Sequence, residues 1–205
     1  MKNKIIKDAL ALTLITLVAG VALGGVYEIT KDPIAKQEAQ AKAEAYEQVF
    51  TDAAAFEEVE MDDTLIQTIR DQLDQEGYKA QSIEEVMRAE DQSGETLGYA
   101  FTVVTSEGYG GDIQFSMGVQ NDGTLNGISI LSIGETAGLG MNADTPAFKD
   151  QFVGKQVEQL QYTKNGATQD DEINAISGAT VTTNAMTNGV NAGLCAFRVM
   201  EGGDQ

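Results

Sequence analysis

The first thirty residues change from basic to uniformly apolar. Three lysines lie within residues 2–7, and the stretch Ala9–Val26 contains no charged side chain. As a helix this stretch spans about 27 Å, close to the hydrocarbon core of a bilayer, which is about 30 Å thick. Because lysines beside a span resist translocation, the pattern predicts one transmembrane helix with a cytoplasmic N-terminus and an extracytoplasmic remainder. A cleaved secretory signal ending near Ala22–Gly24 is the open alternative.

Two segments after the apolar stretch have the composition or the spacing of helices. Residues 34–50 follow Pro33 and are rich in Ala, Glu, Gln and Lys, which are strong helix formers. Residues 62–76 place four apolar side chains on one helical face and end before Gly77. We therefore expect a juxtamembrane helix and, after it, a separate amphipathic helix.

The middle of the chain has the period of two that is typical of strands. Apolar residues alternate with polar residues or glycine over residues 113–120. A turn signal, Asn121-Asp122-Gly123, then leads into residues 127–133. Residues 97–105 are apolar and β-branched. The pattern predicts an antiparallel hairpin with a neighbouring strand.

The last third returns to helical spacing. Pro146 suits a helix start with Thr145 as its cap. Residues 173–176 favour a short strand. Residues 184–200 favour a helix, in which we interpret Cys195 as a small side chain that fills space in the core. The fold class we predict is α+β: a transmembrane helix, then a twisted, mainly antiparallel sheet flanked by helices. The expected segments are 1–30 (N-terminus and membrane helix), 31–60 (juxtamembrane) and 61–205 (folded domain).

Composition excludes several kinds of chemistry. The 205 residues include no His and one Cys, and the net charge is −19. A chain without His has no Ser-His-Asp or Cys-His pair and no His-bound zinc or haem, and one Cys cannot hold an iron–sulfur cluster. The negative charge argues against nucleic acid as a partner. Any redox chemistry therefore needs a bound organic cofactor, and we expect no metal site.

One motif suits a phosphate group. Ser177-Gly178-Ala179-Thr180 lies between the short strand and the last helix, and such a turn offers free backbone N–H groups at the positive end of a helix dipole. Thr180 is a poor nucleophile without a base, so its esterification would need a separate enzyme. A second copy, Gly166-Ala167-Thr168, follows Asn165 in a turn signal and is interpreted as an ordinary loop.

Together with two other glycine clusters, this motif resembles a known family. The resemblance covers Val49-Phe50, Gly108–Gly111, Gly134–Gly140 and the Ser-Gly-Ala-Thr motif, in this order behind an apolar segment. It is to the FMN-binding G subunits (RnfG) of Rnf-type electron transport complexes. It implies a membrane-anchored electron carrier, without turnover of its own, in a ferredoxin:NAD oxidoreductase coupled to Na⁺ or H⁺ translocation. The implied partners are the other Rnf membrane subunits, of the A, B, C, D and E types.

The resemblance also implies the cofactor and its residues. FMN would be joined by a phosphoester to Thr180, through a flavin transferase that uses FAD and recognises a D-x-x-S/T-G-A-T motif. Thr136 would hydrogen-bond the isoalloxazine and Leu139 would pack on it. The positions matching the transferase motif are Asn174, Ser177, Gly178 and Ala179. The implied cofactor contacts are Tyr109, Gly110, Gly111, Glu135, Thr136, Gly138, Leu139, Gly140, Ser177, Gly178 and Ala179.

The chain departs from the family pattern at two positions, and other interpretations stay open. Asn174 replaces the motif's Asp, and Ala137 replaces a Pro. Gly110-Gly111 also fits a plain turn between strands, and Glu135 a solvated loop carboxylate. The rival functions are the flavin-carrying C subunit of a Na⁺-translocating NADH:quinone reductase, a membrane-tethered scaffold, and a flavoenzyme that reduces an external acceptor.

Overall fold

The computed structural model describes residues 2–202, with side chains from Lys4 onward. The chain divides into two compact units, residues 1–41 and residues 42–205. The described part of the first unit, residues 2–41, lies within one helix, α1 (Lys2–Val49), which is the only described helix long and apolar enough to cross a membrane. The juxtamembrane helix expected to begin after Pro33 is the continuation of α1. Pro33 removes one helical N–H, and the helix formers on both sides preserve the rest of the helix.

The second unit is built on a five-stranded antiparallel sheet in sequence order. Its strands are β1 (Ala55–Glu58), β2 (Gln81–Glu90), β3 (Thr96–Thr105), β4 (Ile113–Gln120) and β5 (Leu125–Ser132). Two short parallel strands, β6 (Gln161–Thr163) and β7 (Glu172–Asn174), pair separately. The helices are α2 (Asp63–Glu76), α3 (Pro146–Lys149) and α4 (Thr180–Gly202), with 3-10 turns at Gly140–Asp144 and Asp150–Phe152. The predicted α+β class is confirmed.

Local sequence signals explain where several elements begin and end. Asp62 caps α2 by accepting a hydrogen bond from the Leu65 N–H at 2.7 Å, and Gly77 ends the helix with a φ of 92°. The β4–β5 hairpin turns at Gly123, whose φ is 85°, and the Asp122 carboxylate accepts from the Thr124 N–H at 2.9 Å. The predicted amphipathic helix and hairpin are therefore confirmed.

Helices cover both faces of the sheet. On one face α4 approaches closely because it has glycine there: a Cβ at Gly189 would lie 2.8 Å from the Phe115 ring. On the other face, residues 45–50 at the end of α1 form a second apolar cluster, and a Cβ at Gly118 would lie 3.0 Å from Phe50. Phe115, Met117 and Val119 on one face of β4 and Ser116 and Gly118 on the other are therefore buried.

The structure differs from the sequence prediction in several elements. The strands β1 and β2 were not predicted, and β1 lies in the segment expected to be juxtamembrane. The last helix begins four residues earlier than expected, at Thr180. Thr145 precedes α3 as expected, but its hydroxyl donates to the Asn142 carbonyl instead of capping the helix. The domain bounds 1–30, 31–60 and 61–205 stay predictions; the compact unit observed begins at residue 42.

Candidate functional site

Thr180 is the first residue of α4. Among the described residues, no acceptor bonds the backbone N–H groups of Thr180, Val181 and Thr182, whereas the Thr183 N–H donates to the Ala179 carbonyl at 3.0 Å. The Thr180 hydroxyl makes no hydrogen bond with the described residues either, unlike that of Thr183, which donates to Ala179 at 2.9 Å. This helix end therefore presents three free donors beside a free hydroxyl, at the positive end of the dipole.

The Glu107 carboxylate, which the sequence does not single out, connects the first glycine loop to the side of α4 that carries Thr180. The Glu107 carboxylate accepts from the side-chain amides of Asn188 at 2.7 Å and Asn184 at 3.3 Å. Residues 180, 184 and 188 are spaced by four and share one side of the helix. The loop that starts at Glu107 thus borders the stripe that carries Thr180. Two Asn residues four positions apart on a helix are only a weak sequence signal of a shared acceptor. Nothing in the sequence indicates that Glu107 is that acceptor.

Glu135 joins two of the three glycine motifs. It is only 8% exposed, and its Oε1 accepts from the Tyr109 N–H at 2.7 Å and the Gly110 N–H at 3.3 Å. A Cβ at Gly110 would lie 3.2 Å from the Glu135 Cα, so Gly110 permits the close approach of two loops. The interpretation of Glu135 as a solvated loop carboxylate is therefore wrong.

The second glycine loop also contacts the start of α4. A Cβ at Gly140 would lie 2.5 Å from Glu135 Oε2 and 2.6 Å from Thr182 Oγ1. Gly178 has a φ of 78°, and a Cβ there would lie 3.2 Å from the Leu139 side chain. The three motifs that are distant in sequence therefore meet around the N-terminus of α4.

Apolar side chains are exposed where these motifs meet. Tyr109 is 76% exposed, Val181 49% and Leu139 44%. Ser177, Thr136 and the glycines 110, 111, 138 and 178 also lie at the surface. Outside α1, the only other large apolar side chains exposed in the described residues are Ile66 and Val153. Exposed apolar residues thus concentrate at the candidate site, which is typical of a ligand or partner surface.

Asn174 is exposed and bonded to other elements. Its Oδ1 accepts from the Ala167 N–H at 2.7 Å, and its backbone N–H donates to Gln151 Oε1 at 2.6 Å. Ala175 and Ile176, which follow it, donate to the Thr163 carbonyl and to Thr183 Oγ1. The whole segment leading to the motif is therefore held by hydrogen bonds.

The second Gly-Ala-Thr copy lies in a loop, as predicted, beside Asn174. Glu172 accepts from the Thr168 N–H at 2.8 Å, from the Thr168 hydroxyl at 3.2 Å and from the Gln169 N–H at 3.2 Å. The Thr168 N–H is the main cause that lowers the pKa of Glu172 below its usual value. The Thr168 hydroxyl is therefore already engaged with a carboxylate, and the next element after it is β7 instead of a helix.

The one cysteine lies outside this site. Cys195 is fully buried in α4, and burial raises the pKa of its thiol to about 12. A thiol with so high a pKa is unreactive at neutral pH, which confirms its interpretation as a filler.

Family comparisons match both parts of the chain. An FMN-binding domain matches residues 108–194, and an RnfG N-terminal region matches residues 1–49. The G component of the Na(+)-translocating ferredoxin:NAD(+) oxidoreductase complex of Acetobacterium woodii is 32% identical over 95% of this chain and 92% of its own. The G component of the proton-translocating ferredoxin:NAD(+) oxidoreductase complex of Clostridium ljungdahlii is 28% identical over 98% of this chain and 96% of its own. The crystal structure of Shewanella oneidensis NqrC is 21% identical, with a TM-score of 0.49 over 58% of this chain and 59% of that one.

Proposed function

The chain belongs to the RnfG family, the G components of ion-translocating oxidoreductase complexes, and we propose that it is a membrane-anchored electron carrier with FMN esterified to Thr180. Its place would be in a ferredoxin:NAD oxidoreductase coupled to Na⁺ or H⁺ translocation, beside the other membrane subunits. It would have no turnover outside that complex.

The observation that carries this proposal is the free N-terminus of α4. The N–H groups of residues 180–182 suit the oxygens of a phosphate, and Thr180 supplies a hydroxyl that bonds no other residue in the part of the chain that the structure describes. The loops 107–111 and 134–140 border this point, where exposed Tyr109 and Leu139 offer apolar surface to a flat ring. The residues present therefore fit a flavin phosphate at one end and an isoalloxazine at the other.

The attachment step is a phosphoryl transfer. Attachment would join the Thr180 oxygen to the FMN-side phosphorus of FAD as the phosphoanhydride bond breaks, and would release AMP and the hydroxyl proton. This chain has no His to accept that proton, and we propose that a flavin transferase supplies the base. We propose that the transferase recognises the folded segment that contains Asn174, Ser177, Gly178 and Ala179, without assigning each side chain a direct contact.

FMN supplies reversible one-electron and two-electron chemistry when bound. The protein's part is to fix the position of the ring. Gly178 and Gly140 let the loop 134–140 approach α4, Glu135 holds the Tyr109–Gly110 backbone to that loop, and Thr136 and Leu139 would contact the ring. A covalent tether prevents loss of the cofactor on the extracytoplasmic side, where we place residues 42–205.

The membrane anchor we propose is the apolar part of α1. Its side chains from Ile5 to Ile29 are exposed, and a helix of this length and hydropathy suits a bilayer span. The lysines near the N-terminus favour its cytoplasmic side.

Intact mass spectrometry of the full chain, purified in detergent after co-expression with a flavin transferase, tests the proposal. We expect a mass gain of FMN minus water, located by peptide mapping on Thr180, and a band that fluoresces on a denaturing gel. A chain that gains no mass and no fluorescence would support a tethered scaffold instead. Reduction of soluble acceptors by the isolated, flavin-loaded chain would support an autonomous flavoenzyme.

A further inference from the structure

We infer that Asn174 supports modification of Thr180 as a positioning residue, by holding the loop of residues 165–169 against β7, and not as a group that the transferase reads directly. This inference rests on the proposed function, since it concerns how the modified segment is shaped. It starts from the hydrogen bond between Asn174 Oδ1 and the Ala167 N–H, which is 2.7 Å long.

The chemistry of the partner fixes the orientation of the Asn174 amide. The Ala167 N–H is a donor, so the atom facing it must be the oxygen and not the nitrogen. An Asp side chain places an equivalent oxygen at this position, and Asn and Asp are therefore interchangeable as acceptors for this bond. Asn and Asp at this position can both accept the hydrogen bond from the Ala167 N–H. Asn174 differs from an Asp in that its side chain carries no negative charge.

A second side chain of β7 holds the same loop. Glu172 precedes Asn174 by two residues, so both side chains leave the same face of the strand, while Ile173 between them is buried. Glu172 accepts from the backbone N–H groups of Thr168 and Gln169, next to Ala167. Three successive loop N–H groups are thus bound by two alternate residues of one short strand.

The same strand leads directly into the modified segment. The Asn174 N–H and carbonyl bond the Gln151 side chain at 2.6 and 3.4 Å, and the next N–H, of Ala175, donates to the Thr163 carbonyl at 2.8 Å. Thr163 ends β6, from which the loop departs. Releasing the loop at Ala167 therefore loosens the strand pair β6–β7 that sets where residues 175–180 leave the domain.

The test compares variants that break this bond from either side, scored by the initial rate of covalent FMN incorporation in the full chain. Asn174→Ala removes the acceptor, and Ala167→Pro removes the donor while leaving Asn174 in place on the surface. We expect each to slow incorporation about five-fold, the effect of losing one ordinary hydrogen bond, and the double variant to be no slower than either. Asn174→Asp should incorporate FMN at the wild-type rate, because it keeps the acceptor.

Amide exchange provides a readout independent of the flavin. The Ala167 N–H should be protected from exchange in the wild-type chain and in Asn174→Asp, and should exchange faster in Asn174→Ala. If Ala167→Pro fails to fold by circular dichroism, Glu172→Ala replaces it, with Glu172→Gln as the matched control that keeps an acceptor.

The outcomes separate this inference from the proposed function. If Ala167→Pro is modified at the full rate and Asn174→Ala is not, the transferase reads Asn174 directly and the inference is overturned. Full-rate modification of Asn174→Ala overturns it as well. If the wild-type chain gains no FMN at all, the proposed function fails. The amide-exchange measurement alone then decides whether Asn174 holds the loop.

Discussion

The chain contains Gly-Ala-Thr twice, at residues 166–168 and at residues 178–180, and folds the two copies differently. In the first copy the Thr168 hydroxyl and N–H are bound by Glu172, within a loop. In the second copy Thr180 opens a 23-residue helix, and its hydroxyl and N–H have no partner in the described part of the chain. The chemistry of such a motif therefore depends on whether the fold leaves the threonine hydroxyl and N–H group free.

Removing each threonine gives the largest expected difference between the two copies. Thr180→Ala should abolish covalent FMN completely, because it removes the hydroxyl at the free end of α4, and should leave the free energy of unfolding within about 0.5 kcal/mol because Thr180 makes no side-chain hydrogen bond with the described residues. Thr168→Ala, the matched control, should keep full incorporation. Intact mass and denaturing-gel fluorescence measure both. Retained covalent flavin in Thr180→Ala would move the attachment to another residue.

The two copies also differ in how much of each could be predicted from the sequence. The Ser before Gly178, and the apolar helical spacing after it, indicated a strand-to-helix turn, whereas the turn signal Lys164–Gly166 indicated a loop. The bonds that make the difference, from Glu172 to Thr168 and from Glu135 to Tyr109, join residues through loops and leave no periodic trace. Local pattern therefore located the motif but could not show which hydroxyl is free.

The sheet shows the same limit at a larger scale. The β4–β5 hairpin follows from the apolar alternation of β4 and a Gly turn, and β3 follows from its apolar, β-branched sequence. The strand β2 was missed because its sequence, Q-S-I-E-E-V-M-R-A-E, is rich in residues that favour helices. Its strand conformation depends on neighbours: β2 pairs with β1 on one side and β3 on the other, and Val86 and Ala89 are fully buried. Such pairs appear only once the chain has folded.

The glycines of the two copies provide a smaller and sharper contrast. Gly166 and Gly178 both have positive φ, 93° and 78°, but a Cβ at Gly166 would meet open space and one at Gly178 would lie 3.2 Å from Leu139. Alanine at either position should lower the free energy of unfolding by about 1 kcal/mol, because both require the left-handed region.

Gly178→Ala should slow FMN incorporation several-fold more than Gly166→Ala does, since it also displaces Leu139 from the start of α4. Denaturant unfolding and incorporation rates measure the two effects separately. Equal incorporation rates for the two variants would show that the approach of the loop 134–140 to α4 does not matter for modification.

A pH titration should distinguish the two copies by a still smaller effect. The Thr168 N–H and its neighbours lower the pKa of Glu172, so this carboxylate stabilises the loop fully above the unfolded pKa of about 4.3. That stabilisation is lost as the pH falls through the lowered, folded-state pKa. The amide resonances of Thr168 and Gln169 should therefore shift at acidic pH together with the Glu172 carboxyl carbon. In Glu172→Gln, which accepts without titrating, those shifts should disappear; if they persist, another acid is responsible.

The last change makes the two motifs identical in letters and is expected to have no effect. Asn165→Ser turns the first copy into Ser-Gly-Ala-Thr, and its backbone N–H can still donate to Thr163 Oγ1, a bond 3.2 Å long. Combined with Thr180→Ala, which removes the competing hydroxyl, this variant should gain no FMN, because the Thr168 hydroxyl stays bound to Glu172 and no helix N-terminus follows. Peptide mapping of the residue 165–169 region after co-expression with the transferase measures it. FMN on Thr168 would mean that the transferase requires only the four letters and that the folded context described for Thr180 is unnecessary.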